Sequence, residues 1–388
     1  MQPNPKTPFS GSTATPTGEL ETVFADVLIQ AIGGAWSVPK LPTAKEFPGL
    51  DDFEGAVFHS AAWRSDIDLK NKCVGIVGNG ATGCQIVAAL SKDPEIKVVN
   101  FARTPQWIIE RNQVQYPKIV KWAFQYLPYL QRTVRNWVHF QQDMLYVTMP
   151  DFLSFLRPLN EGWYLSRMRR KAPKSLQAEL VPDLSIGCRR IIRDPGYYEC
   201  LGQSNVSLET SPVLKASPHG VHLENGKHIN LDVLVMATGF KNSIHTVFPI
   251  TGRSGTLLKE EWEQQGGPTA YYGTAVPGFP NHFILLGPNT ATGHTSVLFA
   301  EEVTVDYLME IIEPILKKDA KVTTVEVKKH SYQGYNAWLQ EKVRATVWST
   351  CSSYYNDFGS KNFALYPGTM TQFWWQLRRP KWSDWSLN

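Results

Sequence analysis

Short continuous apolar runs closed by glycine recur along the chain. FADVLIQAI (24–32) stops at Gly33 and Gly34, CVGIV (73–77) runs straight into GNGATG, and LDVLVMATGF (231–240) passes through Gly239. Such runs, bounded by turn formers, predict buried strands ending in tight turns. Behind the second run, CQIVAALSK repeats its apolar positions at helical spacing, and Pro94 follows just after it, so a helix is expected there. KVVNFA (97–102) predicts the next strand, which gives residues 73–102 the order and length of one βαβ unit. VSLE and VHLE predict further strands, and EEVTVDYLMEIIEPILKK a helix. The chain is expected to end in an irregular aromatic tail closing on WSDWSLN.

The polar stretches divide these elements. Residues 1–20 are rich in Pro, Ser, Thr and Gly and predict a loose start or a hairpin tip. WSVPKLPTAKEFPGL is a proline-marked linker. From about Gln115 to Leu180 the chain turns aromatic and basic, with Trp122, Tyr126, Tyr129, Trp137, Trp163 and Tyr164 among Lys and Arg. This stretch reads as a helical insertion that covers a substrate. Alternation of strand and helix predicts an α/β fold, divided as 1–66, 67–240 with the insertion at about 115–180, and 241–388.

Composition narrows the class. The 388 residues suffice for about two or three domains, and 43% hydrophobic against 19% charged residues excludes disorder. The net charge of +4 is too diffuse for nucleic acid to be the expected partner. Five cysteines, an odd number without C-x-x-C spacing, suggest neither a disulfide framework nor a zinc site. His219, His222 and His228 read as surface residues of hairpins, so no metal is expected. Neither a secretory signal nor a run long enough to span a bilayer is present, which leads us to expect a cytoplasmic chain with no membrane association.

The chemistry concentrates at Gly78, Gly80 and Gly83. They form G-x-G-x-x-G directly after a strand and at the start of a helix, the context in which the pattern binds a dinucleotide pyrophosphate. Twenty residues beyond Gly83, where an NAD-binding unit places an acid against the ribose 2′-hydroxyl, stand Arg103 and Thr104. A cation there suits a 2′-phosphate, which predicts NADPH rather than NADH.

Just upstream, Phe53, Gly55, His59 and Trp63 stand at the spacing F-x-G-x-x-x-H-x-x-x-W. This resembles the fingerprint of the flavin-dependent Baeyer-Villiger monooxygenases. FADVLIQAIGG and LDVLVMATGF look like that family's interdomain segments, FARTPQW like its NADP-phosphate segment, and IGCRRIIRDPGYYE like the segment carrying its active-site arginine. GPNTATGHTS, TVWSTCSSYY and ALYPGTM are similar to its C-terminal flavin-domain segments, and the likeness is closest to fungal members of secondary metabolism.

The resemblance implies two Rossmann-like dinucleotide-binding domains, with residues 1–66 a remnant of the FAD domain plus linker, 67–240 the NADPH domain and 241–388 the rest of the FAD domain. It implies that FAD, NADPH and dioxygen convert a small-molecule ketone to an ester or lactone, with oxidation at nitrogen or sulfur as the nearest variant. By the same likeness Gly78, Gly80, Gly83, Arg103, Thr104 and Arg189 hold NADPH, Arg190 is the catalytic arginine, and His59 and Trp63 lie in the hinge that answers NADPH binding. Two residues depart from the pattern, Arg64 after Trp63 and Tyr354 where a Trp is usual. A larger departure is at the beginning: 23 residues precede Phe24 and contain no G-x-G-x-x-G, so the principal FAD phosphate site is expected to be missing. That leaves a second expectation, a truncated relative that binds NADP without flavin and is inactive or serves as a subunit. A partner chain could also complete the flavin site.

Overall fold

The computed structural model describes residues 9–14, 20–32, 38–111, 115–241, 248–317, 321–351, 353, 355 and 361–388. The chain divides into two compact units. One comprises Met1–Gly34, Leu127–Phe152 and Ser243–Asn388, the other Ala35–Tyr126 and Leu153–Asn242.

The second of these is built on a five-stranded parallel sheet. Across the sheet its strands run Val206–Glu209, Lys97–Phe101, Cys73–Val77, Val233–Met236 and Ala56–His59. Cys73 pairs with Lys97, Val74 with Val233, and Val233 in turn with Ala56, so Val77, Phe101, Met236 and His59 end side by side. Both faces are covered, as expected of an all-parallel sheet. Val74, Ile76, Val98, Val233 and Val235 pack on the helix Ala81–Leu90 through Cys84, Val87 and Ala88. The alternate residues Val99, Phe101, Leu234 and Met236 pack on an antiparallel sheet of Val213–Ser217, Gly220–Leu223 and His228–Asn230. His222 and His228 lie against one another on this hairpin, their rings tilted with centroids 4.4 Å apart.

The other unit has little sheet among its described residues. Leu28–Gln30 runs parallel to His282–Ile284, and Phe9–Ala14 forms a hairpin ribbon with Leu20–Ala25. Its core is helical and aromatic: Val303, Tyr307 and Ile311 of helix Val297–Leu316 meet Tyr335 and Leu339 of Lys329–Arg344 and Phe373 of Met370–Leu377.

Two local expectations change. The run at 24–32 is not one buried strand, because it breaks at Asp26 and Val27 and leaves Phe24 56% and Ile29 43% exposed. The turn expected at Gly33 and Gly34 lies outside the described residues. The aromatic tail is ordered, since Trp385–Leu387 pairs antiparallel with Val325–Val327 and buries Trp385. The expected insertion is helical, with Lys118–Tyr126, Pro128–Asp143 and Arg157–Lys171, and its middle helix groups with the C-terminal residues. The Asp143 carboxylate accepts from the Met370 and Thr371 amides at 2.7 and 3.0 Å and from His294 Nε2 at 3.0 Å, all within that unit.

Candidate functional site

Strand Cys73–Val77 is the point of the parallel sheet where the chain order reverses. The two strands on one side of it follow it in sequence, whereas its other side holds the latest and the earliest. Ligands of open α/β sheets sit beyond the carboxyl ends of the strands at such a point. Gly78 stands there with φ +111°, a conformation open to glycine, and its amide donates to Phe101 O at 3.0 Å. A Cβ on Gly83 would lie 2.1 Å from Gly78 O, so only a bare Cα lets the helix start this close to the strand. At Gly80 a Cβ would meet nothing within 4 Å, and this residue is the N-cap of Ala81–Leu90 with no side-chain cap. An uncapped helix start beside open space leaves first-turn amides for an anion, which is the fit a pyrophosphate requires.

Two asparagines shape this loop. Asn100, fully buried in the strand next door, donates through Nδ2 to Ile76 O and Gly78 O at 3.1 Å each and accepts from Tyr197 Oη at 2.7 Å. Asn79 Nδ2 donates to Thr104 O at 2.9 Å, tying the glycine turn to the turn after Phe101. Neither residue nor Tyr197 stood out in the sequence analysis. The available signal was a polar residue inside the apolar run KVVNFA.

Arg103, exposed, and Thr104, half-buried, follow Phe101 at the same sheet edge. The chain then forms Ile108–Ile109, parallel to Ile192–Arg193, and Ile192 N donates to Trp107 O at 2.9 Å. This pairing brings the segment of Arg189 and Arg190 alongside the one that leaves Arg103. Arg189 is half-buried and Arg190 exposed. Behind them Asp194 accepts through Oδ1 from the Gly196 and Tyr197 amides at 2.9 and 2.7 Å, and burial raises its pKa.

His59 ends the outermost strand and is 2% exposed. Ala61 N donates to its Nδ1 at 3.1 Å, so Nε2 carries the hydrogen and donates to Gly239 O at 2.9 Å. Gly239 has φ +85° and its carbonyl also accepts from Lys40 N, which binds the linker to the segment that leaves strand Val233–Met236. Trp63 packs edge-on against Phe58 with centroids 5.3 Å apart. His59 and Trp63 thus frame the same sheet edge as Gly78, while Tyr354 lies outside the described residues.

A parallel sheet with a glycine turn at its reversal point defines a dinucleotide-binding fold. Comparison with known proteins specifies it further. The family model described as Flavin-binding monooxygenase-like matches residues 11–146. The Baeyer-Villiger monooxygenase of Streptomyces coelicolor is 30% identical over 371 residues, covering 93% of this chain and 69% of that protein. That of Pseudomonas aeruginosa is 30% identical over 364 residues, 91% of this chain and 66% of that one. The FAD-binding monooxygenase tazF of Aspergillus terreus is 30% identical, at 90% and 63%. Among solved structures, an oxidized steroid monooxygenase bound to NADP superposes with a TM-score of 0.80 at 23% identity over 97% of this chain and 77% of that one. The chain belongs to the flavin-dependent Baeyer-Villiger-type monooxygenase family and has its α/β fold. It spans about two thirds of the length of these curated relatives. None of the helices among the described residues is long and apolar enough to cross a membrane.

Proposed function

We propose that this chain works as an NADPH- and FAD-dependent monooxygenase that inserts oxygen into a ketone of a secondary metabolite. The reading is carried by the uncapped glycine turn at Gly78–Gly83 with Arg103, not an acid, on the neighbouring strand end. The first-turn amides would take the pyrophosphate, and Arg103 and Thr104 the 2′-phosphate, with Arg189 assisting. His59 and Trp63 would hold the linker where a bound nicotinamide cofactor is felt. When bound, FAD and NADPH would supply the activation of dioxygen. Arg190 would contribute a guanidinium that stabilises negative charge as it develops on oxygen.

A specific observation keeps a second reading open. The chain contains a single G-x-G-x-x-G, and in the other unit, whose 287–296 and 364–370 segments resemble flavin-domain segments, strand His282–Ile284 leads to helix Val297–Leu316 through GPNTATGHTS, which lacks that glycine spacing. Asn289 does bind these segments together, donating to Asn362 O and Leu365 O at 2.9 and 3.0 Å. The second reading is therefore a chain that binds NADP without flavin. Incubation with excess FAD, desalting and visible absorbance separate the two. Stoichiometric retained flavin with NADPH oxidation supports the monooxygenase, whereas NADPH binding without retained flavin leaves the second reading.

A further inference from the structure

In the unit that carries the C-terminal residues, helix Lys329–Arg344 forms one wall of a cavity of about 790 Å³, within the size range of small-molecule sites. Thr269, Asn336, Gln340, Lys361 and Asn362 line it, none of them a residue given a role above beyond the backbone of Asn362. The cavity has an unusual charge balance. The Lys361 ammonium donates to Gln265 O at 2.8 Å, to Gly267 O at 3.1 Å and to Thr269 Oγ1. All three acceptors are neutral, so its hydrogen bonds are satisfied while its charge is not. Burial alone pulls its pKa down to about 8, and no charged group among the described residues offsets that. At neutral pH the site therefore holds a net positive charge.

Asn362, beside it, is 1% exposed. Its Oδ1 accepts from the Ala364 and Leu365 amides at 3.1 and 2.9 Å. Those amides can only donate, which fixes the orientation of the side chain and leaves Nδ2 without a partner. A buried amide donor with nothing to receive its hydrogens is costly and calls for an acceptor. Arg344, on the same wall, is exposed to solvent, so the buried charge to be offset is that of Lys361 alone, and the shared requirement of Lys361 and Asn362 is an oxygen anion of single charge.

We propose that this cavity is a binding site for a small organic monocarboxylate, whose carboxylate accepts from Asn362 Nδ2 in the field of Lys361 while its apolar remainder fills the volume. Hexanoate, its neutral analogue hexanamide and inorganic phosphate are the probes, titrated into the full chain by calorimetry with saturation-transfer NMR. Hexanoate should bind one to one, with hexanamide and phosphate weaker by about tenfold or more. Lys361→Met should weaken hexanoate by more than about tenfold. Because that variant can fail to fold, Ala337→Trp, at an exposed helix position on the cavity wall, provides the second test by filling the space. It should also weaken hexanoate by about tenfold or more. Absent hexanoate binding, equal binding of hexanamide, preference for phosphate, or binding unchanged in Ala337→Trp would each overturn the site.

Discussion

Arg103 and Arg190 were legible as residues because their chemistry does not depend on neighbours: a guanidinium is charged wherever it stands. If Arg103 reads the 2′-phosphate, Arg103→Ala should weaken NADPH by about ten- to a hundredfold and NADH by less than about threefold, measured by fluorescence titration. Equal weakening of both would remove it from that role. If Arg190 acts on the reacting oxygen, Arg190→Ala should lower product formation by at least about a hundredfold while the Kd for NADPH stays within a few fold. Full turnover in that variant, followed by product chromatography, would end the assignment. His59 illustrates the opposite case. Its identity as a histidine told little, and only the two hydrogen bonds, from Ala61 and to Gly239, show a ring with both nitrogens occupied.

At the scale of elements, the βαβ unit of 73–102 was readable because each piece is local: an apolar run, three glycines at fixed offsets, an amphipathic turn. The structure adds that the glycines do different work, and this gives a paired test. Gly83→Ala places a Cβ 2.1 Å from Gly78 O, so strand and helix must separate. It should cost about 1–3 kcal/mol in urea denaturation and NADPH binding with it. Gly80→Ala meets no protein atom within 4 Å. It should leave stability within about 0.5 kcal/mol, yet weaken NADPH, because the new methyl occupies the space facing the uncapped helix. Weakened NADPH in neither variant would mean that the turn holds no dinucleotide. Short apolar runs were harder to read: FADVLIQAI could not reveal that Leu28–Gln30 finds one strand neighbour among the described residues and leaves Ile29 exposed.

The response of the whole molecule to acid follows from a residue that no motif marks. His282, fully buried, has its pKa lowered from 6.5 to about 4 by desolvation, and its Nδ1 lacks a partner while Nε2 faces Gln30 Oε1 at 3.2 Å. Folded, it stays neutral; unfolded, it takes up a proton below pH 6.5. As pH falls from 6.5 to 4 the unfolded chain binds more protons, so folding stability declines, by up to about 3 kcal/mol from this group. His282→Gln, which keeps a donor for Gln30, should flatten that part of the pH profile in chemical denaturation. An unchanged slope would show that His282 titrates normally in the fold.

By itself the sequence determined the α/β class, the glycine turn after the first strand of the βαβ unit, the arginine proposed to read a 2′-phosphate and the family, because those features lie within stretches of some 30 residues whose spacing is set by strand and helix geometry. Tertiary structure decided what depends on distant segments. It set Asn100 and Tyr197 under the glycine turn, grouped helix Pro128–Asp143 with residues 243–388 through the Asp143 carboxylate, and ordered the tail by pairing Trp385–Leu387 with Val325–Val327. It also put the buried ammonium of Lys361 and the unpartnered amide of Asn362 on one cavity. The physical reason is common to all of these: burial and hydrogen-bond partnership belong to pairs of segments far apart in the chain, and periodicity within one segment carries no record of its partner.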